Sequence, residues 1–225
     1  MNPKRTIDAV IFDMDGVLLD SEPIHLESTN MILAGHGGSL SKAANDEFIG
    51  WNERAYWTAL ALRFGLPGPI EAYIRRRQDL MLDLLKRRLP IADGVRDVLR
   101  DFADRGVPLA VASSSQRAVI EHVLAAGGLS DRFGAIASGD EVKLSKPDPE
   151  IFLLAAARLA ARPERCLVFE DAPHGARGAL AAGMLCARVM TETTRGMAFP
   201  AVDLVVETFV GLDVDRVLAM ERTRS

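Results

Sequence analysis

The residues best suited to chemistry lie near the start of the chain, where Asp13-Met14-Asp15-Gly16-Val17-Leu18-Leu19-Asp20 follows the apolar run Ala9-Val10-Ile11-Phe12. Side chains two apart in an extended chain point the same way, so Asp13 and Asp15 are expected to project from a buried strand's end toward one space. In open α/β sheets that end is where ligands bind. Asp-Gly after a strand also marks an ordinary turn with solvated acids, so the pair gains meaning only from what other strand ends bring to it. Val111-Ala112 leads into Ser113, a hydroxyl beside backbone amides at a helix start, a place that favours anions and equally suits a helix cap. Lys146 precedes Pro147 in a loop at a helix start, where a cation opposes the helix dipole; that conflict points the ammonium toward a phosphate or a buried carboxylate, the alternative being an exposed lysine on a loop. Leu167-Val168-Phe169 ends in Glu170-Asp171. Acids converging from neighbouring strands repel one another, and a hard divalent cation such as Mg²⁺ is the natural remedy.

The elements that must position these groups follow from periodicity. Residues 7–12 read as a strand buried on both faces. Residues 23–34 read as a helix stopped by Gly35. Asn52 can cap a second helix whose stripe is Trp57, Leu60, Ala61 and Phe64, with Gly65 as its stop. Trp51, Tyr56 and Trp57 are read as packing residues rather than a ligand box, although Trp51 lies off the stripe. A third helix carries Ile70, Tyr73, Ile74, Met81, Leu84 and Leu85 on one side, with Arg75, Arg76, Arg77, Lys86, Arg87 and Arg88 among the others; most of these cations are expected on a solvated face, and one or two could look into a cleft and meet an anion. Beyond Leu89-Pro90 the rhythm becomes helix 94–105, strand 108–112, a helix to 126, strand 135–137, a helix opening around Pro147, strand 166–169, a helix after Gly175, strand 185–189, and apolar segments at 204–206 and 210–218. Strands alternating with helices predict an α/β fold, a Rossmann-like parallel sheet with helices on both faces. The expected organisation is discontinuous: a core of residues 1–20 and 89–225, and an all-helical insert at 21–88, with hinges at the two chain crossings.

Composition narrows the function classes. The 225 residues are 48% hydrophobic and 26% charged, ordinary for a globular protein able to bury a sizeable core. With 27 basic and 31 acidic residues the net charge is −4, which gives no global attraction to nucleic acid or an anionic membrane. The longest apolar stretch, residues 178–187, is too short to span a bilayer, and Asp8 and Asp13 interrupt any signal core behind Lys4 and Arg5. A cytoplasmic monomer is expected. Cys166 and Cys186 lack paired spacing and are read as buried free thiols.

Four motifs in the right order at strand ends carry a resemblance: Asp13-Met14-Asp15-Gly16-Val17; Ser113 after Ala110-Val111-Ala112; Lys146 in Ser145-Lys146-Pro147-Asp148-Pro149-Glu150-Ile151-Phe152; and Glu170-Asp171 followed by Gly175 and Ala182-Gly183-Met184. Over nearly its full length the chain resembles the haloacid dehalogenase-like hydrolase superfamily, in the subgroup containing small-metabolite phosphatases and β-phosphoglucomutase. The resemblance implies that Asp13 is a nucleophile forming an aspartyl-phosphate and that Asp15 is the general acid and base. It implies that the amides of Met14, Asp15 and Ser114, the Ser113 hydroxyl and Lys146 hold the phosphoryl oxygens. It implies that Mg²⁺ is bound by Asp13, the Asp15 carbonyl and Asp171, with Glu170 as an additional or water-bridged ligand. The helical insert resembles the family's mobile cap, where His25 and Arg54 are candidate substrate contacts. Ser145, Asp148 and Ala172 depart from the usual pattern, and none removes a reacting group; the charge of Asp148 bears on the setting of Lys146. The expected activity is hydrolysis of a small phosphorylated metabolite, a sugar or sugar-acid phosphate. A phosphosugar mutase is the alternative, disfavoured by Glu53 where the mutase has an arginine. A dehalogenase would need neither Asp15 nor a metal, and a binding protein would have no use for all four groups.

Overall fold

The computed structural model describes residues 6–48, 51 and 53–221, so Asn52, the expected cap of the second helix, lies outside the described residues. The chain divides into two compact units, one of Met1–Asp20 with Ile91–Ser225 and one of Ser21–Pro90. The second crossing falls two residues later than the sequence pattern put it. Arg88 N still donates to Leu84 O at 2.9 Å, while Ala92 N donates to Leu18 O at 3.0 Å and Ile91 bridges Leu19, which ties the returning chain to the first unit from residue 91 onward.

The larger unit is a six-stranded sheet of β1 (Ala9–Phe12), β2 (Leu109–Ser113), β3 (Ala135–Ser138), β4 (Cys166–Glu170), β5 (Leu185–Val189) and β6 (Leu204–Val206). Its order is β3-β2-β1-β4-β5-β6, and every pairing is parallel. Strands β1, β2 and β4 are buried throughout, which is why they read as unbroken apolar runs rather than alternating ones. The large helices of this unit are α5 (Val95–Asp104), α6 (Arg117–Ala126), α7 (Glu150–Arg158) and α8 (Pro173–Ala181), followed by the short α9 (Val214–Leu218). On one sheet face Ala9, Ile11, Ala110, Ala112 and Val168 pack against Phe152 and Ala155 of α7 and Ala176 and Ala179 of α8. The alanines let these helices sit close. On the other face Phe12 stacks on Phe169 with ring centroids 5.0 Å apart and meets Phe102 of α5 edge-on at 6.2 Å. Helices therefore cover both faces. Cys166 and Cys186 are buried free thiols, and burial, with Asp8 and Glu164 adding to it, pushes Cys166 up to about 12.

The α6, α7 and α8 starts differ from the sequence reading. Helix α6 begins at Arg117 with Gln116 as its cap residue, so Ser113 is the last residue of a strand and not a helix cap. Helix α7 starts at Glu150 rather than around Pro147, because Asp148 Oδ1 accepts from the Glu150 amide at 3.0 Å and ends the loop there. Helix α8 starts at Pro173, with Gly175 inside it.

The smaller unit contains α1 (Glu22–Ala34), α2 (Lys42–Asp46), α3 (Glu53–Phe64) and α4 (Ile70–Arg87). Its core gathers Leu33, Leu40, Tyr56, Trp57, Leu60, Tyr73 and Leu80, and Trp57 stacks on Tyr73 at 5.5 Å. Trp57 is buried while Trp51 is exposed, its ring edge-on to Phe48. The Asn30 side chain clasps the backbone of Leu40 through both its amide and its carbonyl oxygen, at 2.9 and 2.7 Å, and so fastens the loop after α1. Helix α2 was not expected; its Ser41 cap accepts from Ala44 N at 3.2 Å.

Candidate active site

The sheet register assembles the site. Phe12 pairs with Val111 on one side and Phe169 on the other, so Asp13, Ser113 and Glu170 all leave the sheet at the same end. Chain order reverses between β1 and β4, which makes the crevice outside their carboxyl ends the switch point where such sheets hold ligands. Asp13 N donates to Phe169 O at 3.0 Å, fixing the first carboxylate beside the fourth strand. Strand β1 stops at Phe12 and residues 14–19 turn, with Leu18 N and Leu19 N both bonded to Met14 O. Alternation along an extended chain therefore does not govern Asp15. Its side chain is half-buried and still lies near enough to Asp13 and Asp171 to act on their charge.

Lys146 reaches this crevice from the loop before α7. Its ammonium donates to Asp13 Oδ1 at 2.8 Å, Glu170 Oε1 at 2.7 Å and the Ala112 carbonyl at 3.1 Å, and sits 4.9 Å from the centre of the Phe152 ring. Only 3% of the side chain is exposed. The sequence raised Asp148 as a neighbour that could alter this charge, but the Asp148 carboxylate is turned to the α7 amide instead.

One oxygen each of Asp13, Glu170 and Asp171 lies within 4.8 Å of the others. Three acids thus share one ammonium. Burial, opposed by Lys146 and reinforced by Glu170 and Asp15, raises Asp13 to about 7. Burial together with the charges of Glu170, Asp13 and Asp15 also raises Asp171 well above the carboxylate range. Lys146 is held above the ordinary lysine value: burial works against its charge, and Asp13 and Glu170 outweigh burial. A cluster of hard oxygen donors with more negative charge than its lone cation balances is the donor set that fits Mg²⁺.

Two glycines are required by this packing. A Cβ on Gly16, whose φ is +75°, would fall 2.1 Å from Asp171 Oδ2, and one on Gly175 would fall 1.7 Å from Glu170 Oε1. Glu170 Oε2 accepts from Ala172 N at 2.9 Å, so both its oxygens are committed. Ser113 is buried, and its Oγ accepts from Ser115 N at 3.1 Å, which leaves the hydroxyl proton to donate elsewhere. Ser114 is exposed beside it, and Gly139 N grips the same turn by donating to Ser115 O at 3.0 Å.

In the helical unit, Arg54 is exposed and paired with Glu71 at 2.5 Å. The cation that meets His25 is Arg77, one of the six basic residues of which most are expected from the sequence to be solvated and one or two to meet an anion. It is 8% exposed; its Nη2 lies 2.6 Å from His25 Nδ1, its Nη1 donates to Glu53 Oε1, and its guanidinium covers the Tyr56 ring at 5.2 Å. Arginine only donates, so His25 Nδ1 is the acceptor. The available signal was helix phase, since Arg77 stands four after Tyr73 and three before Leu80, both buried.

Comparison with known proteins agrees with this geometry. Residues 7–183 match the family model of haloacid dehalogenase-like hydrolases. The phosphorylated carbohydrates phosphatase of Thermotoga maritima is 34% identical over 179 residues, covering 79% of this chain and 82% of the relative. The crystal structure of CbbY from Rhodobacter sphaeroides in complex with xylulose-(1,5)bisphosphate is 28% identical, with a TM-score of 0.80 over 92% of this chain and 96% of that one. The β-phosphoglucomutase of Clostridium difficile is 26% identical, with a TM-score of 0.73 over 94% and 95%. With the sheet order, the crevice and these likenesses together, the chain belongs to the haloacid dehalogenase-like hydrolases.

Proposed function

We propose that the protein is a Mg²⁺-dependent phosphatase of small phosphorylated carbohydrates, a sugar or sugar-acid phosphate, working through an aspartyl-phosphate on Asp13. The observation that carries the reading is the buried ammonium of Lys146 joined to Asp13 and Glu170 at the β1/β4 switch point. The likeness to a phosphorylated carbohydrates phosphatase supports the substrate class.

In this reading Lys146 holds Asp13 Oδ1, and Oδ2 attacks phosphorus in line with the ester oxygen. As the new O–P bond forms and the ester bond breaks, Asp15 gives its proton to the leaving alkoxide. The Asp15 carboxylate then takes a proton from water, which attacks phosphorus and expels the Asp13 carboxylate, releasing phosphate; such proton transfer is worth about 10²–10⁴-fold. The Ser113 hydroxyl, the amides of Met14, Asp15 and Ser114, and Lys146 hold the phosphoryl oxygens throughout. Mg²⁺ would be held by the Asp13 and Asp171 carboxylates and the Asp15 carbonyl, with Glu170 as an additional or water-bridged ligand, and when bound supplies positive charge that keeps these acids ionised and stabilises the phosphoryl oxygens.

Residues 1–20 and 91–225 form the catalytic core in this proposal, and the helical unit serves as the cap that excludes water and selects the leaving group. His25, fixed by Arg77, and Arg54 are its substrate contacts. A net charge of −4 accords with a protein that has no nucleic-acid or membrane partner, and no helix among the described residues is long and apolar enough to cross a membrane. We place it in the cytoplasm as a monomer.

The test is phosphate release from a panel of phosphorylated sugars, sugar acids, nucleotides and glycolate, with Mg²⁺ and with chelator. Metal-dependent release from a few related carbohydrates is expected; metal-independent release, or none, overturns the proposal. The likeness to β-phosphoglucomutase favours a second reading. Conversion of β-glucose 1-phosphate to glucose 6-phosphate faster than phosphate is released would establish it.

A further inference from the structure

The loop that carries Lys146, residues 142–149, is packed against the core at its entry by half-buried Val142 but has little apolar anchorage beyond it. Lys143, Leu144, Ser145 and Pro147 are exposed, yet the Lys146 side chain between them is almost completely buried. Beyond Val142, polar contacts set the loop's register. The first residue of α7 does so: Glu150 Oε2 accepts from both Lys143 N at 2.9 Å and Leu144 N at 3.0 Å. Asp148 closes the far side, its own amide donating to Ser145 O at 3.1 Å and its Oδ1 accepting from Glu150 N. Two residues after Glu150, buried Phe152 faces the ammonium. The start of α7 therefore ties the loop's entry, closes its exit and supplies the ring beside the lysine.

We propose that Glu150 is a positioning residue for Lys146, acting through the two amides it holds rather than through any contact with substrate. The Lys146 ammonium meets Asp13, Glu170 and the Ala112 carbonyl at 2.7–3.1 Å. A displacement of about 1 Å takes such bonds out of range, and misplacement on that scale can cost a reaction about 10²-fold. A carboxylate serving two consecutive amides is a strong, charge-assisted restraint for an otherwise exposed loop. The kinetic part of the proposal rests on the phosphatase reading.

The experiment compares wild type, Glu150→Ala and Glu150→Gln on p-nitrophenyl phosphate with Mg²⁺, each assayed below its own melting temperature, and measures amide exchange in the wild type. Glu150→Ala is expected to lower kcat by about 10- to 100-fold with KM within about threefold. Glu150→Gln keeps a carbonyl acceptor for the amides and is expected to retain kcat within about threefold. Wild-type kcat in Glu150→Ala, or an equal loss in Glu150→Gln, overturns the proposal. Should Glu150→Ala not fold, the Gln variant and the exchange arm decide. The Lys143 and Leu144 amides are expected to exchange at least about tenfold more slowly than free peptide, and unprotected exchange there also overturns it. A wild type that releases no phosphate would refute the phosphatase reading alone, because the exchange arm reads the loop independently of turnover.

Discussion

Gly175→Ala sets two effects of opposite sign against each other. Gly175 lies inside α8, where replacing glycine by alanine ordinarily stabilises a helix by about 1 kcal/mol. Here the added methyl would fall 1.7 Å from Glu170 Oε1, 2.0 Å from its Cδ and 2.6 Å from Oε2. The whole carboxylate must therefore move. It is 1% exposed, and its oxygens hold Lys146 at 2.7 Å and Ala172 N at 2.9 Å. Breaking a buried, hydrogen-bonded pair of this kind costs about 3–5 kcal/mol, which exceeds the helix gain and leaves a net loss of about 2–4 kcal/mol. For a chain of this size each kcal/mol shifts Tm by roughly 2–4 °C, so the variant is expected to melt roughly 4–16 °C below wild type. Gly196→Ala, where an added methyl meets nothing within 4 Å, is the control and is expected to change stability by less than about 0.5 kcal/mol. Thermal melts followed by circular dichroism read both. A Gly175→Ala protein that melts at or above the wild-type temperature would refute the argument, because helix propensity would then have outweighed the displaced carboxylate.

Asp13→Asn is expected to abolish turnover while leaving the far-ultraviolet spectrum unchanged; near-normal turnover would remove Asp13 from the nucleophile role. The raised Asp13 value of about 7 makes the metal-free protein bind more protons folded than unfolded, so this group's stabilisation is complete below about pH 4 and is lost as pH rises through about 7. Mg²⁺ should therefore raise Tm more at pH 8 than at pH 5, and an equal shift at both would contradict the cation assignment. Glu141 is held well below the usual glutamate range by Arg158, with Ser138 and Arg117 assisting against burial. Its stabilisation is present above about pH 4.3 and disappears as pH falls through the lowered folded value. Because the pairs are partly exposed and screened by solvent, Glu141→Gln should cost only about 1 kcal/mol at pH 7 and progressively less in acid; a pH-independent difference in denaturant melts would count against it. Arg77→Met should destabilise the protein by about 2–4 kcal/mol, measured by urea titration, because it removes the partner of Glu53 and His25 from a buried position.

The sheet was legible because its central strands are buried on both faces, which leaves a continuous apolar run bounded by a turn signal. Residues 185–189 were read with the bounds that β5 has. Groups at the ends of such strands could be placed together before any coordinates, since parallel register carries Asp13, Ser113 and Glu170 to one edge. What escaped depends on context that a linear pattern does not hold. Helix α2 is five mostly polar residues with no apolar period. Pro147 marked the start of α7, but the Asp148 carboxylate decides where its first amide is satisfied. Arg75, Arg76 and Arg77 are alike in type, and only helix phase combined with acceptors 24 and 52 residues away makes Arg77 the buried one.

The bond between Lys146 and Asp13 spans 133 residues of chain, and that separation bears on how the protein folds. Strand β1 precedes the helical unit in the chain and ends up central, while its ladder partners β2 and β4 both follow that unit. Contacts so distant in sequence are intrinsically slow to form. Until β4 docks, β1 presents apolar backbone without its full set of neighbours, the kind of transient surface on which aggregation begins. Recovery of catalytic competence after dilution from denaturant should therefore lag behind recovery of helical signal, reporting closure of this long loop rather than collapse.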